Sequence, residues 1–249
     1  MLTWNQLSWP QIEMRAQAGH VVIIPVGVIE QHGHHLPVDT DAFIPEQIVH
    51  EAARRDPQIL PGPTVHFGYT PSNKGFPGSI SVSIDTWMAL IRELVTAIAS
   101  HGFERIAIVN GHGGQVGLAR LTSALLQDED GIRVVAMDWF GLVQAEMAEL
   151  FSDEKLSGSR VGHAGAVETS LNLHLRPHLS DQGPRIAHLG PSKPGFVSAV
   201  GGFMQTPREE ISPSGVMGDP QLADAGKGEK LFELAVDRLC EFAAAYRAS

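Results

Sequence analysis

The chain has 249 residues, of which 43% are hydrophobic and 18% are charged, so it can bury a sizeable core and general disorder is excluded. Its 18 basic and 28 acidic side chains give a formal net charge of −10, and no run of Lys or Arg forms a basic patch. This charge argues against nucleic acid and anionic membrane surfaces as partners. The single cysteine, Cys240, excludes an intrachain disulfide and a cysteine-based zinc site.

The sequence predicts one domain spanning residues 1–249, because no linker, repeat or low-complexity tract divides it. The first residues lack a basic segment followed by an apolar stretch, which is the pattern of a signal peptide. The apolar runs are too short to span a bilayer. We therefore expect a cytoplasmic protein.

Short apolar strands alternate with amphipathic helices along the chain. Strands are predicted at 21–26, 105–110 and 132–137. Helices are predicted from about 45 to 55, with Pro45 in the first turn, from a cap at Asp85 to a stop at Gly102, and from the glycine-rich loop to about 127. A short helical stretch is entered at 163–170, and a final helix runs from about 221 to 246. The segment 182–218, rich in Gly, Pro and Ser, is predicted to be irregular loop. The alternation indicates an α/β fold in which helices cover both faces of a mainly parallel sheet.

The loop after the first strand concentrates groups that bind metals. Residues 30–41 contain three histidines and three carboxylates, and imidazole with carboxylate is a ligand set that suits zinc, manganese or iron. Open parallel sheets place their ligands beyond the carboxyl ends of the strands. We therefore predict a functional site here, with a polar surface loop as the alternative.

Two further clusters lie in comparable places. His112 follows the second strand and stands among glycines, at 111–114, that permit a tight turn. The alternative for this loop is a phosphate cradle, but Val116 occupies the position that would complete Gly-x-Gly-x-x-Gly. The third cluster contains His163 and Glu168; an isolated glutamate there would ordinarily be a solvated or capping residue. Trp139, after the third strand, either lines a pocket or packs in the core.

The number of candidate ligands favours two metal ions over one. They are five: Glu30, His32, Asp41, His112 and Glu168. A single catalytic zinc uses three protein ligands and keeps one position open. If Asp41 bridges two divalent metals, each metal gains three protein contacts, and the charges of carboxylates, cations and one hydroxide sum to zero. Such a pair, about 3.5–4 Å apart, is the usual hydrolytic arrangement.

The motifs at 30–41, 110–114 and 163–170, with a fourth at 215–220, resemble the signature of the creatininase (creatinine amidohydrolase) family. The resemblance implies a three-layer α/β/α fold, a small-molecule substrate, two divalent ions (zinc, manganese or iron) and a homohexamer. It places Glu30, Asp41 and His112 on one metal, and His32, Asp41 and Glu168 on the other. It also implies that His163 handles the proton at the leaving nitrogen, and it places His35, Gly113 and Gly114 around the ligands or in the substrate pocket.

Three positions depart from creatininase proper. Gly114 stands where that enzyme has a glutamate, Ser159 where it has a tryptophan, and Gln115 where the family commonly has an asparagine. We therefore expect hydrolysis of a C–N bond in a small cyclic or formyl-type amide other than creatinine. The alternatives are hydrolysis of a cyclic ketone or of a peptide bond, or a metal-binding protein without catalytic activity.

Overall fold

Parallel strands form the central sheet in the computed structural model, which describes residues 2–153, 162–190 and 205–249. The strands are β1 (Val21–Val26), β2 (Ile59–Pro61), β3 (Ile106–Asn110) and β4 (Val134–Asp138), in the spatial order β2-β1-β3-β4. Val26 pairs with Asn110, and Asn110 pairs with Asp138. The carboxyl ends of β1, β3 and β4 therefore lie side by side at one edge of the sheet.

Helices cover both faces of this sheet, in two separate hydrophobic cores. The helices are α1 (Trp9–Gln17), α2 (Thr40–Arg55), α3 (Ile84–Ser100), α4 (Val116–Asp130), α5 (Trp139–Leu142), α6 (Gln144–Leu150), α7 (Ala166–Leu175), α8 (Arg208–Ile211) and α9 (Ala225–Ala248). The first core packs α2, α7 and α9 against the sheet, and the second packs α3 and α4. None of the described helices combines the length and the hydrophobicity that a bilayer-spanning segment needs.

Strand β1 shows why the layers form. All six of its residues are buried. Val21 and Ile23 belong to the first core, whereas Val22 and Ile24 belong to the second, because successive side chains of a strand point to opposite faces. A strand that is apolar at every position therefore needs helices on both sides. The predicted α/β fold with a parallel sheet between helices is confirmed.

Helix α2 begins at Thr40 rather than near Pro45, so the predicted position of Pro45 in a first turn was wrong. A proline inside a helix lacks the N–H that would bond the carbonyl four residues earlier, which here is the carbonyl of Asp41. The earlier start places Asp41 itself in the first turn.

Other boundaries differ by smaller amounts. Ser83, rather than Asp85, caps α3, because its hydroxyl accepts a hydrogen bond from the backbone N–H of Thr86 at 3.1 Å. Gly102 follows the helix with a φ of +91°, as expected for a residue that ends one. Helix α9 begins at Ala225, later than predicted. The segment 182–218, predicted to be irregular, contains the short helix α8, and its residues 191–204 lie outside the described residues, as does Ser159.

The first turn of α2 packs directly on the backbone of two glycines at the strand ends. A Cβ atom added to Gly27 would lie 2.4 Å from the backbone of Asp41 and Ala42, and one added to Gly111 would lie 1.9 Å from the carbonyl oxygen of Asp41. Real Cβ atoms do not approach so closely, so both positions require glycine. This close contact holds Asp41 against the carboxyl ends of β1 and β3.

We expect Gly111→Ala to lower the free energy of unfolding by about 1–3 kcal/mol, because the added methyl group forces the α2 backbone away from the sheet. Gly117→Ala is the matched control, since a Cβ there meets nothing within 4 Å; it should leave stability unchanged or raise it by up to about 1 kcal/mol. Urea denaturation of both variants measures the difference. Equal stabilities would contradict the packing of α2 on Gly111.

Candidate metal centre

The predicted ligand side chains converge at the carboxyl edge of the sheet. They come from the loop after β1, the first turn of α2, the loop after β3 and the first turn of α7. All are buried, and they form two groups whose ligand atoms lie within 4.8 Å of one another: Glu30, Asp41 and His112 in one, and His32, Asp41 and Glu168 in the other. These are the same two groups that the family resemblance implies.

Asp41 belongs to both groups and presents a different oxygen to each. Its Oδ1 lies 3.3 Å from Nε2 of His32, and its Oδ2 lies 2.9 Å from Nδ1 of His112. Glu168 Oε2 lies 3.7 Å from the same His32 nitrogen, and Glu30 Oε1 lies 3.4 Å from the same His112 nitrogen. The carboxylate of Asp41 therefore stands between two sets of ligand atoms.

Two of these ligand atoms are buried without a hydrogen bond among the described residues: Oε1 of Glu30 and Nε2 of His32. Their side chains are nevertheless held firmly through the other polar atom. Glu30 Oε2 accepts from the Thr70 hydroxyl and from Asn73 Nδ2 at 2.7 Å, and His32 Nδ1 donates to the Glu30 carbonyl at 3.1 Å. Buried polar atoms normally have partners, and a cation would supply one to both atoms. The residues present therefore fit divalent metal ions.

Comparisons with known proteins identify the family. Residues 5–243 match the creatininase family model, described as creatinine amidohydrolase. The chain belongs to the creatininase family. It is thus a creatininase-family amidohydrolase, as the motifs predicted. A creatinine amidohydrolase from Pseudomonas putida is 29% identical to it, with 95% of this chain and 94% of the relative aligned.

Other members of the family have different names. A mycofactocin precursor peptide peptidase from Mycolicibacterium smegmatis is 32% identical over 85% of this chain and 79% of its own length. A 3-dehydro-scyllo-inosose hydrolase from Thermotoga maritima is 24% identical over 95% of this chain and 80% of its own. The relatives of this chain are therefore hydrolases named for different substrates.

Solved structures agree with the fold. A crystal structure of creatinine amidohydrolase aligns with a TM-score of 0.85 and 26% identity over 96% of this chain and 95% of that chain. Two other creatininase structures, one described as Mn and one as of a Zn–Zn type, align at 25% identity over 96% of both chains, with TM-scores of 0.83 and 0.84. These structures and the buried ligand atoms together support divalent metal ions in the family's site.

His163 lies beside the two groups and is fixed by the backbone. Its Nε2 lies 2.7 Å from the carbonyl oxygen and 2.8 Å from the side-chain nitrogen of Gln31, and its Nδ1 lies 3.3 Å from Oε1 of Glu30. Two backbone hydrogen bonds with Met217, at 2.9 and 2.8 Å, attach the chain at His163 to the 215–220 motif. With Glu30 and His32, His163 forms a third group of closely spaced ligand atoms, so it could also contact a metal.

The side chains of the site shift one another's protonation. Burial favours the neutral imidazole, but Glu30 and Asp41 outweigh it and raise the pKa of His112 to about 10. The carboxylates of Asp41 and Glu168 likewise overcome burial and raise the pKa of His32 well above its usual value. Burial, reinforced by the charge of His32, lowers the pKa of His163 well below its usual range. His163 is therefore neutral near pH 7, whereas His32 and His112 carry protons that metal ions would displace.

Gly113 and Gly114 line a cavity of about 460 Å³ that opens onto the ligand atoms. A Cβ added to Gly114 would lie 2.5 Å from Nε2 of His112. A glutamate at this position, as in creatininase proper, would therefore need a different position of the His112 ring. Gln115, the other described departure, is buried, and its side chain accepts from the Tyr69 N–H at 3.1 Å.

His35 and Trp139 lie outside the groups of ligand atoms. His35 is buried, and its Nε2 is 3.0 Å from the hydroxyl of Thr169, next to Glu168 on α7. Burial, with the charge of Arg185, lowers the pKa of His35 to about 4. Trp139 packs in the first core at 1% exposure, and its neighbours Asp138 and Phe140 line the cavity instead. The prediction that Trp139 lines the substrate pocket is therefore wrong, and its alternative, packing in the core, is correct.

The structure also reveals polar residues that the sequence did not indicate. Asn110 donates to Asp138 Oδ1 at 2.8 Å and accepts from the His112 N–H at 3.1 Å, and so joins the ends of β3 and β4 beneath the site. The contacts of Thr70 and Asn73 with Glu30 were not predicted either. Arg208 lines the cavity together with the ligand residues. Of these residues, only Asn110 could have been singled out from the sequence, because it ends a predicted strand two residues before the proposed ligand His112.

Proposed function

We propose that this protein is a two-metal hydrolase of a C–N bond in a small cyclic or formyl-type amide. The observation that carries the proposal is the position of Asp41, whose two oxygens face two different histidines at 3.3 and 2.9 Å. One carboxylate that serves two ligand groups is the arrangement a bridged metal pair needs. The creatinine amidohydrolase and peptidase among its relatives support cleavage next to a carbonyl group.

In this proposal Glu30, Asp41 and His112 hold one ion, and His32, Asp41 and Glu168 hold the other. When bound, such ions lower the pKa of water and polarise a carbonyl oxygen. Thr70 and Asn73 keep Glu30 turned toward its ion, and Asn110 does the same for the backbone of His112. Partners of this kind orient ligands and tune their basicity.

His163 carries the proton in this proposal. Its neutral imidazole accepts a proton from the attacking water while the new C–O bond forms, and it then donates that proton to the nitrogen as the C–N bond breaks. The Gln31 carbonyl, 2.7 Å from Nε2, holds the ring so that Nδ1 faces the site. A group that is neutral at working pH is suited to take the proton first.

The size of the cavity supports a small-molecule substrate. Its volume of about 460 Å³ matches a compact ligand, and Gly114 and Gln115 offer no free polar side chain where creatininase proper contacts creatinine. Zinc, manganese or iron ions, a single domain, a homohexameric assembly and a cytoplasmic location complete the proposal. Sedimentation analysis tests the assembly directly.

A substrate screen with the metal-loaded protein tests the proposed reaction. The panel contains creatinine, five- and six-membered cyclic amides, N-formyl amines and dipeptides, with release of amine or acid as the readout. We expect turnover of a cyclic or formyl amide above that of creatinine and of the dipeptides. Turnover of dipeptides alone would favour a peptidase. Binding of all compounds without turnover would contradict the proposed hydrolase activity.

A further inference from the structure

Arg208 is the first residue of α8 and lines the metal-centre cavity. Burial lowers the pKa of Arg208, and the negative charges of Glu30, Glu168 and Asp41 act in the opposite direction. The segment contributes to the cavity wall together with Met217, whose backbone holds His163. Arg208 therefore lines the same cavity as the ligand residues.

This arginine lacks a partner among the described residues. Its Nε is buried without a hydrogen bond, and no carboxylate of the described part of the chain lies within ion-pair distance of its guanidinium. The other arginine of the cavity, Arg120, has Asp138 3.7 Å away, and its side chain is 70% exposed. A buried N–H group without a hydrogen-bond partner among the described residues is costly, so an anion that enters the cavity and accepts from Nε of Arg208 would relieve that cost.

Two bound metal ions would leave the charge of Arg208 uncompensated. The following step rests on the proposed function. The carboxylates of Glu30, Glu168 and Asp41 carry fewer negative charges than two divalent cations carry positive ones, so they no longer neutralise the arginine once both ions are bound. One uncompensated guanidinium matches the single charge of a carboxylate better than the nearly double charge of a phosphate.

We propose that Arg208 binds a carboxylate of the substrate, so that the substrate is a small amide that also carries a carboxyl group. The planar guanidinium pairs with a carboxylate through two parallel N–H···O bonds, which would orient the amide as well as attract it. Arg208 thereby selects acidic amides over neutral ones of the same size. This selection also disfavours creatinine, which carries no carboxylate.

Equilibrium binding tests this proposal without requiring turnover. The probes are N-acetylglycine, N-acetyl-β-alanine and N-acetyl-4-aminobutyrate, which vary the span between amide and carboxylate, each with its uncharged primary-amide counterpart. Calorimetric titration of the metal-loaded protein should show that at least one acid binds about 10–100-fold more tightly than its counterpart. Arg208→Gln should remove this preference and leave binding of the uncharged probe within about threefold, and Arg208→Lys should restore part of it.

Arg238→Gln is the matched control, because it removes the same charge from an exposed arginine of α9 that pairs with Glu146 of α6 and Glu241 of α9. This variant should keep the preference for the acid. No preference in the parent protein, a preference that survives in Arg208→Gln, or an equal loss for acid and uncharged probes would each overturn the proposal. Absence of any amide turnover would instead contradict the proposed function, and it would leave the binding comparison valid.

Discussion

Asp41→Asn is expected to lower amide turnover by about 10⁴-fold or more, the largest effect of any single substitution in this protein. The asparagine keeps the size of the side chain but replaces one of the two oxygens that face His32 and His112. One ion would then lose this ligand, and the other would keep only a neutral amide oxygen in place of a charged carboxylate. Bound metal lowers the pKa of water by about nine units, so the variant would have almost no hydroxide at neutral pH. Steady-state assays on the best amide from the screen measure the loss.

Asp39→Asn is the matched control for this variant. Asp39 lies two residues earlier in the same loop, but its carboxylate pairs with Arg176 at 2.7 Å and belongs to none of the groups of ligand atoms. It should keep turnover within about threefold, because Asp39 belongs to neither ligand group. Since the Arg176 side chain that it pairs with is only 7% exposed, the stability of this variant is measured alongside its turnover. Equal losses in the two variants would mean that the loop as a whole, and not the bridging carboxylate, is needed.

His163→Gln is expected to lower turnover by about 10²–10⁴-fold, the usual contribution of a positioned proton carrier. The metal content should remain that of the parent protein, because the two ligand groups are complete without His163. Metal analysis and turnover assays of the same preparation measure both quantities. His34→Gln provides the control, since His34 belongs to the same loop motif but its side chain is exposed.

Loss of a metal ion from His163→Gln would contradict the role proposed for this residue. The third group, formed by His163 with Glu30 and His32, would then be a true ligand set. His163 could in that case not carry a proton, because its Nδ1 lone pair would be occupied. Unchanged turnover with unchanged metal would show that another group transfers the proton.

The position of the site could be predicted because it follows from the sheet. The uninterrupted apolar runs at β1 and β3 identify central parallel strands, and their carboxyl ends must meet at one edge. Glu30 and His112 follow those strands directly, so their convergence needs no knowledge of the loops. Glu168 was predicted only from the ligand count and the family motif, since nothing in its own neighbourhood distinguishes it from a surface residue.

The contacts that depend on tertiary packing could not be predicted. The early start of α2 depends on the fit of its first turn against Gly27 and Gly111, which no local pattern reveals. Trp139 follows a strand end, as a pocket residue would, yet its side chain packs in the first hydrophobic core, which also contains residues of α9. Arg208 comes from a segment without hydrophobic periodicity, and only the folded chain brings it to the cavity.

Metal content per chain is the measurement that tests the central claim most directly. Protein purified without chelator is analysed by inductively coupled plasma mass spectrometry, alongside Glu30→Gln, Glu168→Gln and Asp41→Asn. The bridged site predicts two ions in the parent, about one in each glutamate variant and fewer than one in Asp41→Asn. A single ion in the parent, or two ions that persist in Asp41→Asn, would contradict a metal pair bridged by this carboxylate.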